Sequence, residues 1–440
     1  MLVAVGMTAM NVAAYAFTLV AARRLGPEGY SVVAALMGVV LVVNVLALGV
    51  QATTARHVAR QADDPRVAAG MVRTALRSAM ALGALCLALS PVAAVLLHLD
   101  SWVTAATVAV TAAALTVMGA QLGILQGRRS WRAFAGLSLT TGAGRLVVGG
   151  AAVVLWPTPL GAMTGVAVGA LVPLLVGRRL IRPRAADSAP GSTGSVEPER
   201  PGGTLRDLLH DSHTLLAFFA LTQVDVFAAR VMLSAGEAGV YASGLILTKA
   251  VLFLPTFVTV MAFPTLARRT GPRHLHLAGL AVVFSIGLVA VAGTLAMPRL
   301  ALAFVGGREY AAVQPDLWLF AVLGTVIAMI QLLVQTALAR AHRSAVWWVW
   351  GALATVLAVV PFVTTGHALL LLMLAVDTVL LAVLVRVTWA DPWASTTTPD
   401  GTDDLIDEAL PSAASAPSEP DERSGDASAP RRASSGRRPR

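Results

Sequence analysis

The sequence predicts an all-α, polytopic membrane protein of about twelve transmembrane helices arranged as two six-helix lobes. Composition is the first observation behind this. Apolar residues make up 56% of the chain and charged residues only 13%, and the mean hydropathy is +0.73. A soluble domain carries roughly 25% charged residues, so much of this surface must face lipid. The second observation is a weak internal repeat. Ala21-Ala-Arg23, Gly26-Pro-Glu-Gly29, Tyr30 and an apolar run to Arg56 are echoed by Ala228-Ala-Arg230, Gly236-Glu-Ala-Gly239, Tyr241 and a run to Arg268. The tyrosine-to-arginine spacing is 26 residues in one copy and 27 in the other, and the copies lie about 210 residues apart. Two equivalent halves of this kind are how many membrane transporters are built.

Apolar stretches near 1–22, 30–50, 78–97, 102–125, 133–155, 158–176, 214–233, 240–263, 275–297, 317–339, 345–365 and 367–388 give the individual spans. Each is long enough to cross a hydrocarbon layer of about 30 Å as a helix. They group into an N-terminal lobe, 1–176, and a C-terminal lobe, 214–388. The Pro-, Gly- and Ser-rich linker 177–213 separates them, and a disordered tail, 389–440, comes last. The tail is acidic from Asp400 to Glu422 and basic from Arg431 to Arg440. It is a solvated segment or an arginine cluster that touches anionic lipid.

Arginine placement orients the chain. The loops after the even-numbered spans hold nineteen arginines, while the opposite loops hold four: Arg23, Arg24, Arg299 and Arg308. The positive-inside rule then puts both termini in the cytoplasm. Met1 begins almost inside the first span, without the basic lead-in of a cleavable signal peptide. The net charge of +9 is therefore a topology signal and implies no nucleic-acid partner. All but one of the 33 basic residues are arginine, and the single lysine, Lys249, falls inside a span.

Motifs for soluble chemistry are missing. There is no phosphate-binding loop, no His-Glu-x-x-His and one cysteine, Cys86. No nucleotide, metal or other cofactor is expected, and an enzyme is not. The outer loop Pro298 to Asp316 has one Glu and one Asp besides basic residues, too little for a membrane glycosyltransferase. What remains is a set of charges near mid-span: Arg145, Asp225, Lys249 and Asp377. An isolated charge there costs about 2.5–3.5 kcal/mol even on the lenient insertion scale, so these groups must pair or face water. Asp225 and Lys249 flank the turn Ser234–Gly239 at matched distances, and they pair with each other or line one cavity. Ser138 and Thr141 share a face with Arg145. Asn11, Tyr15 and Thr18 share another, as do Asn44 with Gln51 and Gln331 with Gln335. These groups line a cavity or tie helices together. Pro91, Gly142, Gly144, Gly149, Gly150, Pro173, Pro255 and Pro361 interrupt spans and are candidate hinges.

With these residues in place, the chain resembles a known family. The twelve-span pattern, Leu19-Val-Ala-Ala-Arg-Arg-Leu-Gly-Pro-Glu-Gly-Tyr30, Gln126-Gly-Arg-Arg129 and Gly306-Gly-Arg-Glu-Tyr310 are similar to Wzx-type polysaccharide flippases. These belong to the multidrug/oligosaccharidyl-lipid/polysaccharide (MOP) exporter superfamily and have a MATE-like fold. The resemblance covers roughly residues 1–390. It implies two lobes that exchange inward-open and outward-open states. It also implies a polyprenyl-pyrophosphate-linked oligosaccharide as cargo, and a bacterial cytoplasmic membrane as location. Glycosyltransferases or polymerases would be its partners, besides membrane lipid. By resemblance to related lipid-linked precursor flippases, Arg23 or Arg24 would contact pyrophosphate. By depth alone, Arg145 and Lys249 join them as substrate-binding residues, with Asp225 and Asp377 as coupling or cavity residues; Arg230, at the outer end, is a further coupling or cavity residue. A drug or cation exporter of the same fold, and a non-transporting scaffold acting through its tail, are the competing expectations.

Overall fold

A computed structural model describes residues 2–60, 65–181, 204–266, 272–339 and 343–390. Most of the expected linker and tail lies outside these residues. The described chain is helical almost throughout. Eight stretches within it are long and apolar enough to cross a membrane, and Val346–Phe362 is a shorter apolar one.

The first two expected spans form one kinked element, α1 (Leu2–Arg60). It breaks at Gly26, where φ is 64° and ψ 179°. That backbone region is open essentially to glycine alone. Pro27 comes next, has no N–H to lose, and restarts the helix. Then come α2 (Pro65–Leu96), α3 (Trp102–Gly127) and α4 (Trp131–Gly144), which runs through a π-helical turn, Arg145–Gly149, into α5 (Gly150–Leu155); α6 (Pro159–Leu180) completes the first half. The starts are capped locally. The Ser101 hydroxyl accepts from Val103 N–H at 3.2 Å and Thr158 from Gly161 N–H at 3.1 Å, so each cap satisfies a donor the helix leaves free.

The second half runs α7 (Thr204–Met232), α8 (Ala235–Leu266), α9 (Pro272–Ala296), α10 (Pro298–Val305), a 3-10 segment (Arg308–Asp316), α11 (Leu317–Ala339), α12 (Arg343–Val359) and α13 (Gly366–Ala390). Ser234 and Glu237 form a reciprocal capping box at the start of α8. The Ser234 hydroxyl accepts from Glu237 N–H at 3.3 Å, and Glu237 accepts from Ser234 N–H at 3.3 Å. The stretch 298–316, expected as a loop, is helical instead. Pro298 starts α10, Gly306 and Gly307 end it at φ 150° and 96°, and Tyr310 anchors it with no exposed surface. Pro91 and Pro173 lie inside continuous helices.

Close approach between helices comes from small residues. Gly119, Gly123 and Gly127 form a stripe on α3, and a side chain at these positions would run into Ala47, Gln51 with Thr54, and Val58 on α1. Gly144 of α4 and Gly169 of α6 approach each other in the same way. In lipid, where apolar surface gains little by burial against protein, such contacts hold helices together by dispersion. α2, α3, α4 and α6 pack among themselves and on α1, while α11 packs on α8, α9 and α13. The halves meet mainly where α1 crosses α7 and α8. Exposed tryptophans lie near helix ends: Trp102, Trp131, Trp156, Trp318, Trp347 and Trp348, as expected of interfacial anchors.

Candidate functional site

The charged residues fall into three places. The first is the C-terminal half, where α7, α8 and α13 bring Asp225, Lys249 and Asp377 together. Lys249 is half-buried, and its Nζ donates to Gln223 Oε1 at 3.3 Å. Asp225 is buried, and its Oδ1 accepts from Val226 N–H at 2.7 Å. Lys249 and Asp225 interact electrostatically, yet none of the ion pairs within 4.0 Å among the described residues joins them. Gln223 takes the ammonium instead. It lies two residues before Asp225, so the two side chains leave α7 in different directions. Gln223 also reaches the crossing with α1, at Gly38.

Asp377, on α13, is 5% exposed and feels the charge of Asp225. Tyr241 of α8 feels both carboxylates, and its ring meets Phe320 edge-on at 5.3 Å. Asp377 Oδ1 and the Tyr241 hydroxyl are buried without a hydrogen-bond partner among the described residues. Two carboxylates in a medium of low dielectric repel each other, and the Lys249 charge offsets that repulsion at Asp225. Gln223 and Tyr241 were not among the residues expected from sequence. A neutral polar group in a span carries no charge to mark it, and Tyr241 registers only as part of the repeat.

The second place is Arg145, half-buried at the start of the π-helical turn. A π turn inserts an extra residue and rotates the rest of the helix about its axis, and such turns are frequent at functional sites. No acidic group lies within 4.0 Å of Arg145 among the described residues. Its neighbours on that face are satisfied by their own helix and, for Thr141, also by α3. The Ser138 hydroxyl donates to Phe134 O at 3.0 Å, and Thr141 to Leu137 O at 2.9 Å and Met118 Sδ at 3.1 Å. The Thr18 hydroxyl likewise turns back on Ala14 O, and Gln51 bonds Gln126 at 3.1 Å within the same half.

The third place is the end of the molecule that carries the Gly26 kink. Arg24 is exposed there. Arg23 is exposed as well and donates to Ala303 O at 2.8 Å. Arg230 is 7% exposed and fully engaged, with Nε on Leu97 O at 2.9 Å, one terminal nitrogen on His98 O at 2.8 Å and the other on Ser31 Oγ at 3.0 Å. Tyr15 donates to Phe304 O at 3.2 Å and Tyr310 to Ala22 O at 2.8 Å. Gly239 lies against the Pro27 carbonyl, so the two repeated turns touch. These bonds and close approaches between the halves run from the kink down to Gly38, where Phe227 and Gln223 meet α1.

No family model and no curated protein matches the sequence. Solved structures do match the fold. An inward-facing multidrug resistance MATE family transporter of the MOP superfamily aligns with TM-score 0.65 and 14% identity, over 86% of this chain and 92% of that one. An outward-facing structure of the same description aligns with TM-score 0.58 and 15% identity, over 89% and 95%. A MOP superfamily transporter from Pyrococcus furiosus, described by a reversed polarity of its binding pocket, aligns with TM-score 0.58 and 15% identity, over 87% and 93%. The chain therefore has the two-lobed, all-helical MATE fold.

Proposed function

We propose that this chain is an alternating-access transporter that moves a polyprenyl-pyrophosphate-linked oligosaccharide from the inner to the outer leaflet of a bacterial cytoplasmic membrane. The observation that carries this reading is the state of the two mid-span basic groups. Arg145 has no acidic neighbour within ion-pair distance among the described residues, and Lys249 is held by neutral Gln223 rather than by Asp225. Basic groups with no carboxylate within ion-pair distance at mid-depth suit a pyrophosphate leaving water. Arginine offers it a bidentate fork and lysine a point charge. The fold supports two lobes that rock about a central cavity. In this reading the kinked end faces outside and both termini lie inside, as the arginine distribution favours, so cargo loads from the cytoplasmic leaflet.

Asp225 and Asp377 are the coupling groups in this reading. A cation or proton entering between them relieves their repulsion, and its movement down a 100 mV potential supplies about 2.3 kcal/mol per charge. Arg24, exposed near the outer end, meets the headgroup on its way out. A glycosyltransferase or polymerase that takes the delivered headgroup would be the partner.

The second reading, export of a drug or cation, is favoured by the same pair of carboxylates and by the multidrug relatives. Reconstitution in liposomes with a labelled lipid-linked oligosaccharide separates the two. Wild type should flip it, while Arg145→Ala and Lys249→Ala should each slow flipping at least tenfold. A wild type that flips none of it under any gradient or potential, yet exports a lipophilic cation, makes the second reading the right one.

A further inference from the structure

The two arginines of the internal repeat do the same thing in opposite directions. Arg23 ends the first arm of α1, and Arg230 lies in the last turn of α7; each comes directly after a pair of alanines. Arg230 leaves the C-terminal half and takes the carbonyls of Leu97 and His98, just past the end of α2. Arg23 leaves the N-terminal half and takes the carbonyl of Ala303, in the last turn of α10, the short helix after α9. α2 and α9 are the third helices of their halves when the two arms of α1 are counted separately. Each arginine thus reaches the connection that follows the third helix of the opposite half.

The receiving ends are alike. At α2, Leu99 N–H closes back on Ala94 O around His98, whose φ is 47°; at α10, Gly307 N–H closes back on Leu302 O around Gly306. A helix end of this kind turns carbonyls outward with a partial negative charge, which a guanidinium satisfies. Tyr15 takes the next carbonyl of α10, at Phe304, and Tyr310 returns a bond from the C-terminal half to Ala22 O, beside Arg23. Asp100 and Glu28 add electrostatic support to Arg230.

We infer that Arg23 and Arg230 are a reciprocal pair of latches that hold this end of the molecule shut and release when it opens. Rocking the halves apart here must break every one of these bonds. Their acceptors are neutral, backbone carbonyls and for Arg230 also the Ser31 hydroxyl, so opening returns a guanidinium and neutral polar groups to water rather than stranding a buried ion pair. That makes the closure reversible. The latches are unequal. Arg230 is buried and makes three bonds, whereas Arg23 is exposed and makes one, so water and salt weaken it more. The inference rests on the transporter reading for its purpose, and its test needs no cargo.

The full chain with Cys86→Ala, Pro157→Cys and Ala312→Cys, spin-labelled in lipid nanodiscs, reports the distance between the two halves at this end by pulsed dipolar spectroscopy. Wild type should show mainly the short distance. R230Q should raise the ratio of long to short about tenfold, equivalent to about 1.4 kcal/mol. R23Q and Tyr310→Phe should each raise it by less, in the same direction, and R23Q/R230Q should exceed either single change. Distributions that stay as in wild type while thermal stability falls would make the arginines mere structural ties and overturn the latch. So would R23Q and R230Q shifting the ratio in opposite directions. If R230Q does not fold, R23Q and Tyr310→Phe decide the matter. A protein that flips no lipid-linked oligosaccharide but opens in these variants would cost the cargo assignment and leave the latch standing.

Discussion

Replacing Gly26 by alanine isolates backbone strain from packing at the point where the halves meet. At φ 64° and ψ 179° an L-residue is held in a region that costs of order 1–3 kcal/mol. Crowding adds little, because the nearest atom to an added Cβ is Glu309 Oε2 at 3.6 Å, ordinary contact. Gly150 is the matched control. It is helical, with φ −62° and ψ −44°, and an added Cβ there meets nothing within 4 Å. Alanine at that position should stabilise by about 0.5–1 kcal/mol, since glycine loses more freedom on folding. Equilibrium unfolding in mixed micelles, monitored by tryptophan fluorescence, should therefore move in opposite directions for Gly26→Ala and Gly150→Ala. The separation should be about 1.5–4 kcal/mol. Gly26→Ala matching Gly150→Ala within error would mean the kink relaxes without strain. The two arms of α1 would then not be set by this residue, and the argument from its dihedral angles would fall.

Two further outcomes are expected. In a Cys86→Ala background, cysteines at Ser130 and Ser234 should label with a membrane-impermeant thiol reagent from opposite sides, Ser234 from outside; labelling of both from one side would overturn the topology. Asp225→Ala should destabilise more than Asp225→Ala combined with Lys249→Ala if Asp225 mainly neutralises the lysine, because the single change leaves Lys249 with only neutral Gln223. Equal destabilisation by the two variants would show that Gln223 alone suffices, and continued loss of flipping in the double variant would assign Lys249 to the cargo.

The sequence alone determined the class of this protein. Apolar runs separated by turn residues leave few options in lipid, where every backbone polar group must bond within its own helix. The expectation of twelve spans therefore came from hydropathy, while the turn expected at 234–239 is shorter in the structure, because the Ser234–Glu237 capping box starts α8 at Ala235. The repeat marked two halves, because equivalent helices need equivalent turns. Four charged groups at mid-depth were legible for the same reason that they are rare.

Tertiary structure decided which groups they meet. Asp225 and Lys249 lie at matched distances from their turn, but depth says nothing of direction around a helix. Packing of α7 against α1 and α8 gives the lysine to Gln223. Asp377, 128 residues further along the chain than Lys249, enters the field of Asp225 only because α13 packs against α7 and α8. Near their span ends, Arg23 reads in sequence as a substrate-binding residue and Arg230 as a coupling or cavity residue. Their carbonyl acceptors, at Ala303, Leu97 and His98, are backbone atoms that any residue would supply, so no side-chain pattern marks them. Only the packing of two halves against each other brings a helix end within reach of an arginine 280 or 133 residues away.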